Sequence, residues 1–199
     1  MTWRFGNLTP MSFDFVMVDF PWRFEAWSEA GKKHKAPEAH YKTLSIEQCA
    51  AFPIADLGRG DALFWIWATH PMIDQQIALC RRLNLNFVTT GVWVKTTVNG
   101  KLGFGTGYRL RCASEPFIIC TLGRPETVRN IRTAFLAPIG RHSEKPAEAY
   151  EIAERMMPQA LRRADVFSRR TRPGWTAWGD EAGKFDSEEI GRASCRERV

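Results

Sequence analysis

The stretch FDFVMVDFPW, residues 13–22, decides the predicted fold because an apolar run leads directly into an acid, a proline and a tryptophan. The run over residues 13–18 predicts a buried β-strand, since short apolar segments bounded by turn residues are typical of such strands. Ligands of open α/β sheets bind outside the carboxyl ends of the strands. Asp19 is therefore expected to open into a binding site.

The remainder of the chain alternates short β-rich runs with helical patterns. Helices are predicted over residues 46–52, 71–83 and 146–157, and strands over residues 61–67, 87–94, 115–122, 131–138 and 164–167, the last being the final strand. The spacing of the last helix places four residues on its buried face, namely Ala149, Ile152, Ala153 and Met156. This alternation predicts an α/β domain with a largely parallel sheet flanked by helices.

Composition sets the broad class of the protein. The 199 residues contain no apolar stretch long enough to cross a bilayer, and the start lacks the pattern of a signal peptide. The cysteines are scattered, without a Cys-x-x-Cys pair, which predicts reduced thiols, no metal site and a cytoplasmic location. Residues 1–186 are expected to form a single domain, and residues 187–199 a disordered or non-native tail.

The net charge of +6 suits a polyanionic partner, because phosphate contacts supply most non-specific affinity for nucleic acids. Five basic residues are predicted to grip phosphates, namely Lys32, Lys33, Lys35, Arg109 and Arg111. The alternative is an ordinary solvated polar loop. Three tryptophans in strand patterns are predicted to be core residues, namely Trp65, Trp67 and Trp93.

The order of residues 19–22 fits methylation of the exocyclic amine of a base. The lone pair of that amine is delocalised into the ring, so the nitrogen is a poor nucleophile. Acceptance of one amine hydrogen by Asp19 and of the other by the Phe20 carbonyl favours a more reactive nitrogen. Pro21 stiffens the turn that aims this carbonyl, and Trp22 offers a flat face to a flipped base. The alternative is that Asp19 caps a turn and Trp22 is core.

The chain resembles the adenine N(6) methyltransferases with the signature Asp-Pro-Pro-Trp, the MT-A70-like family, which includes the catalytic subunit of the eukaryotic mRNA adenosine methyltransferase. The matching blocks are DFPW (19–22), HYKTLSIEQ (40–48), DALFWIWATHP (61–71), VWVKT (92–96), YRLRCASEPFIICTLG (108–123), RHSEKPAEAYEIAER (141–155) and FSRRTRPGWTAWGDE (167–181). The resemblance implies a Rossmann-like fold with a permuted order of motifs, in which the catalytic motif precedes much of the cofactor-binding region.

The resemblance also implies roles for individual residues. It makes Asp19, Phe20, Pro21 and Trp22 the catalytic tetrad and places Tyr41 beside the target adenosine. The residues that it implies for S-adenosylmethionine are Asp19, His142, Lys145, Arg169, Thr171, Arg172, Asp180 and Glu181.

Several positions depart from the family pattern. Thr171 and Arg172 replace a His-Asn pair of the eukaryotic enzyme, Asp180 and Glu181 replace an Asn-Gln pair, and an acidic cofactor contact upstream of the first strand has no clear match. Phe20 stands where the family has its first proline, and Leu122 stands where relatives place a lysine near the cofactor, with Arg124 as a substitute. The expected reaction is methyl transfer from S-adenosylmethionine to the amine of adenine, without a metal or a covalent intermediate. DNA is favoured over RNA because the chain is compact. RNA as substrate, a catalytically silent nucleic-acid-binding subunit and a homo- or heterodimer remain alternatives.

Overall fold

We describe the chain from a computed structural model over residues 3–23, 43–107, 109–141 and 143–186. The helices and strands in chain order are β1 (Phe13–Val18), α1 (Ile46–Ala50), β2 (Gly58–Trp67), α2 (Ile73–Arg82), β3 (Asn86–Thr96), β4 (Ser114–Leu122), β5 (Ala134–Pro138), α3 (Ala147–Met156), β6 (Arg163–Val166) and β7 (Trp175–Trp178). Short 3₁₀ turns precede β2 at Ala55–Leu57 and α2 at His70–Met72. The predicted tail, residues 187–199, lies outside this description.

The strands form one seven-stranded sheet in the order β5-β3-β4-β2-β1-β6-β7. Only β4 runs against its neighbours β2 and β3, and all other pairs among these strands are parallel. The predicted α/β fold with a largely parallel, Rossmann-like sheet is therefore confirmed. Because β4 is reversed, its first residues lie at the edge where the other six strands end. We call this edge the carboxyl edge of the sheet.

The strand predicted over residues 164–167 is present as β6, but the prediction that it is the final strand is wrong. β7 pairs in parallel with β6 and extends the sheet by one strand. The segment WTAW is only four residues long and lies between Gly174 and Gly179. Its extended conformation follows from pairing with β6 rather than from a local pattern, which explains why periodicity did not reveal it.

The core lies on both faces of the sheet. Successive residues of a strand point to opposite faces, and every residue of β1 is buried, so β1 is covered on both sides. One face carries Trp65, Trp67 and Trp93 together with the buried side of α3, which confirms the three tryptophans as core residues. Within α3, Tyr150 is buried and Met156 only partly, so the predicted face is rotated slightly. Within the described residues, no helix is both long and apolar enough for a bilayer crossing.

Asp14 is a buried acid that fastens the start of β1 to the segment before β6. Its Oδ2 accepts the backbone N–H groups of Leu161 and Arg162 at 2.8 and 3.0 Å, and its Oδ1 contacts Arg59 at 2.7 Å. Asp14 is only 5% exposed, and both of its carboxylate oxygens have partners. Buried charges are tolerated when they are paired and hydrogen-bonded in this way.

We expect Asp14→Ala to lower the free energy of unfolding by about 2–3 kcal/mol, because it leaves two backbone donors without their acceptor. For a domain of this size the melting temperature should fall by about 2–4 °C for each kcal/mol. Denaturant and thermal unfolding followed by circular dichroism measure both quantities. Glu151→Ala on the exposed side of α3 is the control. Equal stability of the two variants would contradict the assignment.

Candidate active site

Asp19 lies at the carboxyl edge, directly after β1. Its N–H donates to the Val166 carbonyl at 3.0 Å, which continues the pairing of β1 with β6 past the end of the strand. Its side chain is 19% exposed. The expectation that Asp19 stands at the edge where ligands of α/β sheets bind agrees with this position.

The turn after Asp19 is fixed by backbone hydrogen bonds. The Trp22 N–H donates to the Phe20 carbonyl at 2.8 Å, and the Leu44 N–H donates to the Pro21 carbonyl at 2.7 Å. A carbonyl oxygen has two lone pairs, so the Phe20 carbonyl retains acceptor capacity for a second donor. The turn is thus rigid although Phe20 stands in place of a proline.

The structure corrects the expectation that Trp22 offers an open stacking face. Trp22 is 4% exposed, and its indole N–H donates to the Trp67 carbonyl at 3.2 Å. Its ring packs against the ring of Phe20 with centroids 5.0 Å apart. A buried indole needs a partner for its N–H, and the end of β2 provides one. The alternative of a core tryptophan is correct here, and Trp22 anchors the turn.

Asp19 belongs to a row of alternating charges along the carboxyl edge. Lys145 Nζ lies 2.9 Å from Asp19 Oδ2 and 2.9 Å from Glu115 Oε1. Glu115 Oε2 lies in turn 2.8 Å from Lys95 Nζ. Glu115 and Lys95 were not among the predicted site residues, because the sequence does not reveal that β4 is reversed and begins beside the end of β3.

Burial and the neighbouring opposite charges have opposing effects on the pKa values of Asp19, Glu115 and Lys145. Burial raises the pKa of Asp19; Lys145 opposes this effect and Glu115 adds to it. Burial also acts against the charged form of Glu115, but Lys145 and Lys95 outweigh it and hold its pKa at about 2. For Lys145, the two carboxylates outweigh burial and raise the pKa of the ammonium.

A small cleft opens beside Asp19. It brings together four of the predicted cofactor residues, Asp19, Lys145, Arg169 and Arg172. Its remaining lining consists of Ser143, Glu144, Tyr150, Asp165, Phe167, Ser168, Arg170 and Phe185. The cleft therefore presents charges of both signs next to aromatic rings.

Three other predicted cofactor residues are not part of the cleft lining. Thr171 is exposed and bonds to Asp186 through its N–H at 2.9 Å and its hydroxyl at 2.7 Å. Glu181 pairs with Arg169 Nε at 2.8 Å, and Asp180 is exposed. Glu181 thus contributes to the cleft only by holding Arg169.

The remaining predictions have mixed outcomes. Arg109 and Arg111 are exposed in the segment between β3 and β4, where Arg111 donates to the Gly107 carbonyl at 3.2 Å. The suggestion that Arg124 replaces a cofactor-binding lysine is wrong. Leu122 pairs with Ala62 near the start of β2, at the edge opposite Asp19, and the Arg124 N–H donates to Asp61 there. The predicted residues Tyr41, Lys32, Lys33, Lys35 and His142 lie outside the described residues.

Asp165 is a second acid in the cleft that the sequence reasoning missed. It lies in β6, is 2% exposed, and its Oδ2 accepts the hydroxyls of Tyr150 at 2.9 Å and Ser168 at 2.7 Å. Burial raises its pKa to about 6, while the two hydroxyls and Arg172 act in the opposite direction. The signal for it in the sequence is an acid between two apolar residues, Ala164 and Val166, of a short strand.

The sheet is Rossmann-like, and the segment Asp-Phe-Pro-Trp lies at its carboxyl edge, directly after β1. These two features define a protein of the methyltransferase fold. The chain belongs to the MT-A70 family, whose family model matches residues 13–181. This match confirms the resemblance seen in the motifs.

Three relatives illustrate the range of the family. The chain is 27% identical to the "N(6)-adenosine-methyltransferase MT-A70-like" of Arabidopsis thaliana over 85% of its own length and 24% of the relative. It is 26% identical to the "N(6)-adenine-specific methyltransferase METTL4" of Mus musculus, over 87% and 38% respectively. It is also 26% identical to the "Type II methyltransferase M.MunI" of Mycoplasma sp, over 71% and 59%. The chain therefore spans less than two thirds of each of these relatives.

The raised pKa of Asp165 predicts a pH-dependent cost to stability. The folded state holds the proton more tightly than the unfolded state, so the stabilising contribution is complete below about pH 4 and is lost as pH rises through about 6. Asp165→Asn should remove this dependence. Relative to the variant, the wild type should lose on the order of 2–3 kcal/mol between pH 4 and 7. Urea unfolding at several pH values measures the difference, and parallel curves for the two proteins would refute the prediction.

Proposed function

We propose that the chain is an S-adenosylmethionine-dependent methyltransferase that modifies the exocyclic amine of adenine in nucleic acid. The observation that carries the proposal is the juxtaposition of Asp19 with the fixed Phe20 carbonyl at the rim of a charged cleft. The names of the plant and mouse relatives, which specify adenosine and adenine methyltransferases, support this choice of base.

The side chains that line the cleft have the chemistry that suits the cofactor implied by the MT-A70 family. Lys145, Arg169 and Arg172 suit a carboxylate, Asp19 suits an ammonium or sulfonium, and Phe167 and Phe185 offer apolar rings. S-adenosylmethionine, when bound, supplies an electrophilic methyl group. We propose that the three cationic residues hold its amino-acid end, so that Asp19 lies between the cofactor and the substrate.

We propose that Asp19 and the Phe20 carbonyl each accept one hydrogen of the target amine. Among the described residues, Lys145 is bound at Oδ2 of Asp19, and we propose that Oδ1 accepts the hydrogen of the amine. As the nitrogen gains the methyl group it becomes positively charged, and the carboxylate stabilises this charge in a partly buried site. The raised pKa of Asp19 also suits it to accept the proton that the nitrogen then releases.

We propose DNA as the substrate, with RNA as the second candidate. Of the three relatives above, the one matched over the largest share of its own length is named a type II methyltransferase, and the mouse relative is named for adenine. The plant relative is named for adenosine, which favours RNA. A cytoplasmic location and contacts of Lys32, Lys33, Lys35, Arg109 and Arg111 with phosphates remain parts of this proposal.

We expect Asp19→Asn to reduce methyl transfer to adenine by at least about a hundredfold, because a neutral amide replaces the anionic acceptor. Mass spectrometry of nucleosides after incubation with DNA and RNA oligonucleotides measures the product. Asp74→Asn, which makes the same chemical change at an exposed position of α2, should leave the rate unchanged. Thermal stabilisation by S-adenosylmethionine shows whether each variant still binds the cofactor.

The outcomes separate the candidate functions. Near wild-type transfer by Asp19→Asn would rule out the catalytic assignment. A wild type that binds nucleic acid and cofactor yet forms no methylated adenine would favour the silent-subunit alternative. Trp22→Phe offers an independent check, since loss of the indole N–H to the Trp67 carbonyl should loosen the turn and lower turnover without abolishing it.

A further inference from the structure

We propose that Glu115 and Lys95 are positioning residues for Asp19, which act by holding the ammonium of Lys145 and sharing its charge. The inference rests on the proposed function of Asp19. Neither residue is part of the cleft lining, so we expect both to act on the chemistry through the charges of Lys145 and Asp19 rather than through contact with a ligand in the cleft.

The geometry makes Glu115 a bridge between two ammonium groups. Its Oε1 contacts Lys145 at 2.9 Å and its Oε2 contacts Lys95 at 2.8 Å, so each oxygen serves a different cation. The side chains are shielded, with exposures of 24% for Lys95, 18% for Glu115, 10% for Lys145 and 19% for Asp19. Charges in such surroundings are screened less by salt than those on the open surface.

Two tryptophan rings restrict where the ammonium groups can move. Lys145 Nζ lies 5.2 Å from the centroid of the Trp67 ring, and Lys95 Nζ lies 4.8 Å from that of Trp93. Both distances fall within the range of cation–π attraction. Because both rings belong to the core, the cations have fixed places relative to the sheet.

The sharing of Lys145 matters for the proposed chemistry of Asp19. An ammonium bound to Asp19 alone would neutralise the carboxylate and weaken its attraction for a positively charged amine. Glu115 binds the same ammonium, so the positive charge of Lys145 is shared and neutralises Asp19 less completely. Lys95 then balances Glu115 from the far side, which limits how strongly Glu115 competes with Asp19 for Lys145.

Within the described residues, the other charged or titratable groups that interact with Asp19 come from three elements. Arg169 follows β6 and lowers the pKa of Asp19. Asp165 in β6 and Tyr150 in α3 lie close enough for Asp19 to affect their own protonation. These groups stay unchanged in the experiment below, so a shift can be attributed to the row of Lys95, Glu115 and Lys145.

Substitutions of the two positioning residues should shift the pKa of Asp19 in opposite directions. Glu115→Gln removes a like charge and leaves Lys145 to Asp19, so the pKa of Asp19 should fall by about one unit. Lys95→Met frees Glu115 to compete harder for Lys145, so the pKa of Asp19 should rise by a smaller amount. Carboxyl ¹³C NMR titration measures both, with the Asp19 signal identified by its loss in Asp19→Asn.

The pH dependence of kcat provides the functional measurement. The acid limb of the kcat profile should move to lower pH in Glu115→Gln and to higher pH in Lys95→Met, while KM for the cofactor stays nearly constant. Lys95→Arg keeps the positive charge and should therefore retain the wild-type pH profile of kcat. Glu151→Gln on the exposed side of α3 is the control and should also leave this profile unchanged.

An unchanged pKa of Asp19 in both variants, or shifts in the same direction, would overturn the proposal, because general loosening of the site predicts no opposite signs. If Glu115→Gln does not fold, the pKa of Asp19 in Lys95→Met is compared with that in Lys95→Arg, and equal values overturn the proposal. If the wild type transfers no methyl group, the proposed function fails, and the NMR titration still supports or overturns the positioning role.

Discussion

The ammonium of Lys145 between Asp19 and Glu115 is the interaction on which the arrangement of the carboxyl edge depends. It joins the turn after β1, the start of β4 and the segment before α3 in contacts of 2.9 Å. Opposite charges in a partly buried place attract more strongly than on the open surface, and leaving one unpaired is costly. The sheet order and the reversed direction of β4 are what bring these residues together. Fold and site are therefore two consequences of one topology.

Local sequence was sufficient for the features that one strand and its following turn determine. The apolar run before Asp19 predicted β1 and the position of the acid at the carboxyl edge, and the structure agrees. The tryptophans of β2 and β3 were correctly expected in the core for the same reason. Features that depend on the direction or pairing of a distant strand could not be predicted from the local sequence. β7 was missed, and Glu115 and Lys95 join the site only because β4 is antiparallel to β3.

Trp22 shows how a motif can be recognised correctly while the role of one residue is misjudged. Its hydrogen bond to the end of β2 and its contact with Phe20 stabilise the turn that fixes the Phe20 carbonyl. The proposed chemistry requires a rigid turn, because the Phe20 carbonyl must keep its orientation. Phe20 stands where the family signature has a proline, so this rigidity has another source here. Core packing therefore does for this chain what the backbone constraint of proline would otherwise do.

The proposed adenine methyltransferase activity can be measured as transfer of the labelled methyl group of S-adenosylmethionine to matched DNA and RNA oligonucleotides, followed by separation of the nucleosides. We predict that the purified wild type places the label on N6-methyladenine, with DNA the better substrate. Label on another base or on the protein itself, or no transfer by a folded sample that binds the cofactor, would contradict it.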